Sequence, residues 1–188
     1  MGLKIKSIGD LSFHGRFSET ADLNVFSDVI HLLTDSDLTI ANLENPLIEH
    51  GASVPGKCTL KSAVNWAETI KKAGINLVSL ANNHIMDYGS EGLFSTIKAL
   101  RDAGIYFVGA GENAKEACSP LVVEINNHKI AFIARTSVVV SSPSYAGLDS
   151  PGTAFLDIEQ TINQIIELKK ENDYVVLLIH WGMEEYTY

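Results

Sequence analysis

Thiols are scarce in this chain. Cys58 and Cys118 are the two cysteines among 188 residues. They stand far apart, in none of the spacings that hold zinc or build a disulfide framework. Both therefore read as small, half-buried side chains, and a thiolate metal site is excluded. Positive charge is short as well: 14 Lys and Arg face 23 Asp and Glu, for a net charge of −9. That balance argues against nucleic acid or an anionic membrane surface as the main partner, because phosphate binding rests on Lys and Arg. A local metal cluster can still bring a phosphate to an acidic protein. No apolar run of membrane length, secretory leader, anchor or Asn-x-Ser/Thr sequon is read in these residues. The expectation is a chain soluble as given, or equally an excised domain whose anchor lies outside the numbering. Repeats and low-complexity segments are missing too. The length and ordinary apolar content predict a single domain over residues 1–188.

What is present is a series of short apolar runs that end in polar residues. Residues 3–8, 38–41, 75–80, 105–108 and 174–179 read as strands. Helices are expected over 24–33, 62–73, 92–103 with Ser90 as the cap, and 157–171. In the last of these, Ile158, Ile162, Ile165, Ile166 and Leu168 are placed inward. The order helix, Gly, short strand occurs twice, at Gly74 and Gly104, which argues for parallel pairing through right-handed crossovers. Residues 121–125 and 129–134 read as a hairpin turning at Asn126-Asn127-His128, which makes the sheet content mixed. Residues 49–60 and 136–154 read as loops. Gly109-Ala110-Gly111-Glu112-Asn113-Ala114 matches the dinucleotide fingerprint formally. The helix after it is too short before Pro120, so these glycines are assigned instead to a turn passing close to a site.

The strand ends carry the chemistry. Asp10 follows the first strand and Asn42 with Glu44 the second. Asn82-Asn83-His84, with Asp87 just beyond, follows the third, and His180 closes the last. In open α/β sheets ligands bind outside the carboxyl ends of the strands. Chance would scatter such side chains over both ends and over the helices. Carboxylates, an amide oxygen and imidazole suit a divalent metal, Mn²⁺, Fe²⁺ or Zn²⁺. Two ions about 3.5–4 Å apart would clamp the attacking and leaving oxygens of a phosphoryl displacement, bridged by Asp10 or Glu44. His31, His50 and His128 read as surface or satisfied side chains.

Gly9-Asp10, Asn42-Leu43-Glu44-Asn45-Pro46, Leu80-Ala81-Asn82-Asn83-His84 with Asp87-Tyr88-Gly89, Gly109-Ala110-Gly111 and His180-Trp181-Gly182-Met183-Glu184 fall in one order along nearly the whole chain. The series resembles the capsule and poly-γ-glutamate biosynthesis proteins, the CapA-like branch of the calcineurin-type metallophosphoesterases. That resemblance implies an α/β fold, a metallophosphatase-like four-layer α/β/β/α sandwich with mixed sheets and a metal site at the strand ends. By the same resemblance Asp10, Glu44, Asn83 and His180 are metal ligands. His84 contacts phosphate and protonates the leaving group, forming with Asp87 the catalytic pair. Asn42, Asn82 and Trp181 are the expected substrate contacts, Trp181 by stacking.

The sequence departs from the superfamily in two places. Ser12 stands where the superfamily has a histidine, and no Gly-His-x-His-type motif follows the strand of His180. The expectation is a domain truncated at its C-terminus, in which the complete form holds two ions. Family members are typically envelope-associated. Two functions are expected on these grounds. One is a metal-dependent phosphoesterase-type hydrolase acting on a small phosphorylated or anionic polymer substrate. The other is a non-catalytic accessory or binding protein in the assembly or export of a capsular polymer.

Overall fold

The computed structural model describes residues 2–139 and 144–183. Its first half is a run of strands and helices that builds one parallel sheet. β1 (Ile5–Leu11), β2 (Leu38–Leu43), β3 (Leu77–Ser79) and β4 (Tyr106–Val108) lie side by side in sequence order, all parallel. The connections carry α1 (Ile30–Thr34), α2 (Trp66–Lys72) and α3 (Gly89–Asp102). The second half opens with β5 (Ala110–Gly111) and α4 (Ala114–Ala117). β6 (Leu121–Ile125) and β7 (His128–Val139) follow, then β8 (Gly152–Thr153), α5 (Ile158–Leu168) and β9 (Tyr174–Met183). β6 is antiparallel to β7, and β7 is parallel to β9, so the second sheet is mixed. The turn between β6 and β7 places Asn126 at φ 51° and Asn127 at φ 63°, the two left-handed positions that a tight hairpin requires.

Side-chain alternation assigns the layers. Ala41, Leu43, Val78 and Leu80 face the helices, in a core with Trp66, Ile70, Leu93 and Leu100. Leu38, Ile40, Leu77 and Val108 face the other way and meet Ile130, Phe132 and Ala134 of β7. Each inner strand is thus buried on both faces, which explains why these runs are continuously apolar. On the far side of the second sheet lies α5. Its Gln164 accepts from Arg135 of β7 and donates to the main-chain oxygen of Cys118. Arg135 is buried, and that burial pulls its pKa below the ordinary arginine value. Helices, sheet, sheet and helix make the four layers expected from the resemblance.

Gly109 stands where the two sheets approach each other. Its φ is +92°, and a Cβ there would sit 2.6 Å from the Ala81 Cβ and 2.8 Å from that of Ala134. The close-passing turn expected of these glycines is therefore real at this residue. Gly109→Ala combines a left-handed backbone with overpacking, for an expected loss of about 2–4 kcal/mol. Urea unfolding measures it, and an unchanged midpoint would contradict the packing described.

Several expectations need correction. The helix over 24–33 is a 3₁₀ turn at Leu23–Phe26, capped by Asp22, followed by the short α1. The helix over 62–73 begins only at Trp66, because Ser62 pairs in a β-bridge with Leu47. Ser90 is not a cap: α3 starts at Gly89 behind Tyr88 with no side-chain cap. β7 runs to Val139, well into the expected loop over 136–154, because β9 pairs with it along its length; residues 140–143 of that loop lie outside the described residues. The inward face drawn for α5 is wrong at three positions, since Ile158, Ile162 and Ile166 are exposed. The helix turns Thr161 and Gln164 to the sheet instead, where the buried guanidinium of Arg135 needs a polar neighbour. Among the described residues no helix is long and apolar enough to cross a membrane.

Candidate metal centre

Asp10 reaches the site through an irregularity in β1. Ser7 pairs with Ile40 but Asp10 with Asn42, so β1 carries one extra residue between them. Such a bulge bends a strand and re-aims the side chain beyond it. Glu44 follows β2 directly, and its main-chain N–H is held by the Leu11 carbonyl at 3.0 Å. His180 lies within β9, opposite Thr136 of β7. These three come from three strands in two sheets, and one donor atom from each lies within 4.8 Å of the others.

The individual spacings fix the arrangement. His180 Nδ1 is 3.7 Å from Asp10 Oδ1, and His180 Nε2 is 3.9 Å from Glu44 Oε1. Asn83 Oδ1 sits 3.0 Å from His180 Nε2. Asn42 Nδ2 donates to Asp10 Oδ1 and to Glu44 Oε2, both at 2.8 Å. The cluster opens to solvent at Asp10, whose side chain is 55% exposed, while Glu44 and His180 are largely covered. Donor atoms about 2.0–2.2 Å from one ion stand up to roughly 4.4 Å apart. The 4.8 Å bound lies just beyond that limit, a gap that small side-chain rotations close. Two carboxylates, an imidazole and an amide oxygen also form the oxygen and nitrogen set that Mn²⁺, Fe²⁺ or Zn²⁺ accepts. The residues present fit a divalent metal.

The elbow after β3 supplies the second half of the site. Asn82 is wholly buried. Its Oδ1 accepts from the main-chain N–H groups of His84 (3.0 Å) and Ile85 (2.9 Å). Its Nδ2 donates to Asn42 Oδ1 (3.1 Å) and to the Leu43 carbonyl (2.7 Å). His84 in turn places Nδ1 2.8 Å from Asp87 Oδ2. Asp87 is fully buried, and an ionised carboxylate is acceptor-only, so Nδ1 carries the hydrogen and Nε2 is left for other partners.

Four sequence expectations change here. Asn42, expected as a substrate contact, ties the two carboxylates together. Asn82 is a clamp with every amide position used inside the chain. Asp87, expected in the catalytic pair, is wholly buried behind His84 and holds its ring through Oδ2. Trp181 is 70% exposed, but alternation along β9 sends it to the face opposite His180, away from the cluster. Asp10, Glu44, Asn83 and His180 are brought together as expected, with His84 on the residue next to Asn83. Glu184 lies outside the described residues. The residue that the sequence reading missed is Lys57, whose Nζ is 2.6 Å from Asp87 Oδ1 and donates to the Asn83 carbonyl at 2.6 Å. A lysine in a polar loop carries no signal of burial.

Residues 4–188 match the family described as bacterial capsule synthesis protein PGA_cap. The chain belongs to this family. Among curated proteins it is 32% identical over 170 residues to the capsule biosynthesis protein CapA of Bacillus anthracis, covering 86% of this chain and 41% of that one. It is 29% identical to the PGA biosynthesis protein CapA of Bacillus subtilis, covering 97% and 50%. A probable polyglutamine synthesis accessory protein of Mycobacterium tuberculosis is 28% identical, over 79% of this chain and 42% of that protein. The chain thus spans about half the length of the curated relatives it matches. Two solved structures share the fold. A hypothetical protein from Thermus thermophilus superposes with a TM-score of 0.56 at 16% identity, covering 96% of this chain and 58% of that one. A putative 5'-nucleotidase from Staphylococcus aureus, solved with α-ketoglutarate, gives 0.54 at 15%, covering 97% and 38%. The metallophosphatase-like sandwich of this family member is therefore shared with proteins of very different sequence.

Proposed function

We propose that this capsule-synthesis family protein is a metal-dependent phosphoester hydrolase whose centre is Asp10, Glu44, Asn83 and His180. The observation that carries the proposal is the meeting of those four side chains beside an imidazole held by a buried carboxylate. A bound divalent metal supplies Lewis-acid stabilisation of phosphoryl oxygens and a nucleophilic water at neutral pH. The chain's own groups do the rest. Asn42 holds Asp10 and Glu44 in the orientation in which both carboxylates serve one centre. Asn82 fixes the main chain of His84, and Asp87 fixes its ring. In that step His84 carries hydrogen on both ring nitrogens: Asp87 accepts from Nδ1–H, and Nε2–H is donated to the leaving oxygen, which leaves the neutral ring.

The substrate class that fits is a small phosphorylated compound or an anionic polymer bearing such a group. The acidic balance of the chain leaves metal as the means of attracting it. The relatives named for capsule and PGA biosynthesis point to the cell envelope as the place of work. A second reading, an accessory protein that binds the polymer without cleaving it, draws on the relative named as an accessory protein. Activity of the metal-loaded protein on a panel of phosphomonoesters and phosphodiesters separates the two. His84→Ala is expected to lower kcat about 10²- to 10⁴-fold on alkyl esters, and a chelator to abolish turnover. Wild-type protein that cleaves nothing with any of the three metals, yet binds polyglutamate with or without chelator, would overturn the hydrolase reading.

A further inference from the structure

The loop over residues 49–60 contains a largely covered cation that the proposed chemistry does not use. The Lys57 side chain is 12% exposed and that of Asp87 is 0% exposed. One ammonium group spans two features of the site: the carboxylate that holds His84, and the main-chain oxygen of Asn83, a proposed ligand. The same loop is stitched to the elbow twice more. The main-chain N–H of Leu60 donates to Asp87 Oδ2 at 2.7 Å, and that of Val54 donates to the Asp87 carbonyl at 2.8 Å. Asp87 Oδ2 is therefore shared between the Leu60 amide and His84 Nδ1. Oδ1, buried and with no hydrogen-bond partner among the described residues, has the Lys57 ammonium at 2.6 Å as its counter-charge. Without the ammonium, the Leu60 amide alone would hold the carboxylate beside the ring, and Oδ1 would be left buried with no compensating charge.

We propose that Lys57 is the positioning residue of the His84 side chain. Its ammonium fixes the rotation of the Asp87 carboxylate. Through it the loop selects one orientation of the His84 ring, with Nδ1–H toward Asp87 and Nε2 turned away from the carboxylate. The same contact pins the Asn83 main chain, so that the leaving-group side and the ligand side of the site are held by one cation. The catalytic part of this inference rests on the hydrolase reading; the orientation of the ring does not.

The test uses two readouts so that failure of either idea is visible. In protein labelled with ¹⁵N-histidine, long-range ¹H–¹⁵N spectra report the His84 tautomer whether or not the protein is an enzyme. Wild type is expected to show one ring state bearing hydrogen on Nδ1. Lys57→Met is expected to show a second state or loss of the Nδ1–H signal, and Lys57→Arg to keep the wild-type pattern. In kinetics, Lys57→Met is expected to lower kcat about 100-fold on alkyl phosphoesters, with KM changed less than about threefold. On nitrophenyl esters, whose leaving group needs no proton, the loss is much smaller. Lys57→Arg restores most of it.

A Lys57→Met protein with a wild-type ring spectrum overturns the inference. So does an equal kcat loss on both ester classes that Lys57→Arg fails to relieve, which marks a general structural role. If Lys57→Met does not fold, Lys57→Arg decides: retention of ring state and kcat supports the inference, and a folded protein that has lost both overturns it. If wild type cleaves no ester, the hydrolase reading fails and the ring spectrum alone judges Lys57.

Discussion

Asp10→Asn and His180→Ala each weaken divalent-metal binding by more than about 100-fold, measured by isothermal titration with Mn²⁺ or Zn²⁺. The expectation follows from position. Asp10 and His180 arrive from strands in different sheets and approach to 3.7 Å, so neither has a neighbour on its own strand able to replace it. Removing a partner one shell out typically costs about 10- to 100-fold in metal affinity, and a direct ligand costs more. Asn42→Ala supplies that milder comparison, because its amide donates to both carboxylates without offering the centre a donor oxygen: Asn42 Oδ1 accepts from Asn82. A ranking in which Asn42→Ala is the most damaging variant would mean that the amide, and not the carboxylates, organises the site.

The second large effect is on stability. Asp87→Ala should cost about 3–5 kcal/mol, the range for removing one partner of a buried ion pair. The loss strands three groups together: the ammonium of Lys57 loses its counter-charge, and the Leu60 N–H and the His84 Nδ1–H lose their acceptor. Asp87→Asn should cost less, since its amide oxygen still accepts. Denaturant unfolding at neutral pH measures both. An Asp87→Ala loss below about 1 kcal/mol would show that the loop over 49–60 is not held through this carboxylate.

Sequence made the strand ends legible for a physical reason. A parallel strand buried on both faces is a continuous apolar run, so the first polar residues after it announce where the chain surfaces. That rule located Glu44, Asn82, Asn83 and His84 directly, and Asp10 to within the bulge. It does not assign roles, because a polar residue at a strand end can serve a ligand or a neighbour with equal composition. Asn42 and Asn82 look alike in the sequence, yet one ties carboxylates and the other caps the turn of His84. The α5 helix misled for a related reason. Its isoleucine periodicity is real, but the sheet beneath it carries Arg135, and no local pattern reveals the polarity of a surface contributed by another strand. Lys57 was invisible because burial of a loop lysine depends wholly on a partner thirty residues away in the chain.

Elemental analysis of the purified protein, after loading with Mn²⁺, Fe²⁺ or Zn²⁺ and desalting, addresses the centre most directly. At least about one equivalent of metal per chain is expected in wild type, falling to background in the Asp10→Asn/His180→Ala double variant. Wild-type protein that retains none of the three metals, or as much metal in the double variant as in wild type, would show that Asp10, Glu44, Asn83 and His180 are not a metal centre.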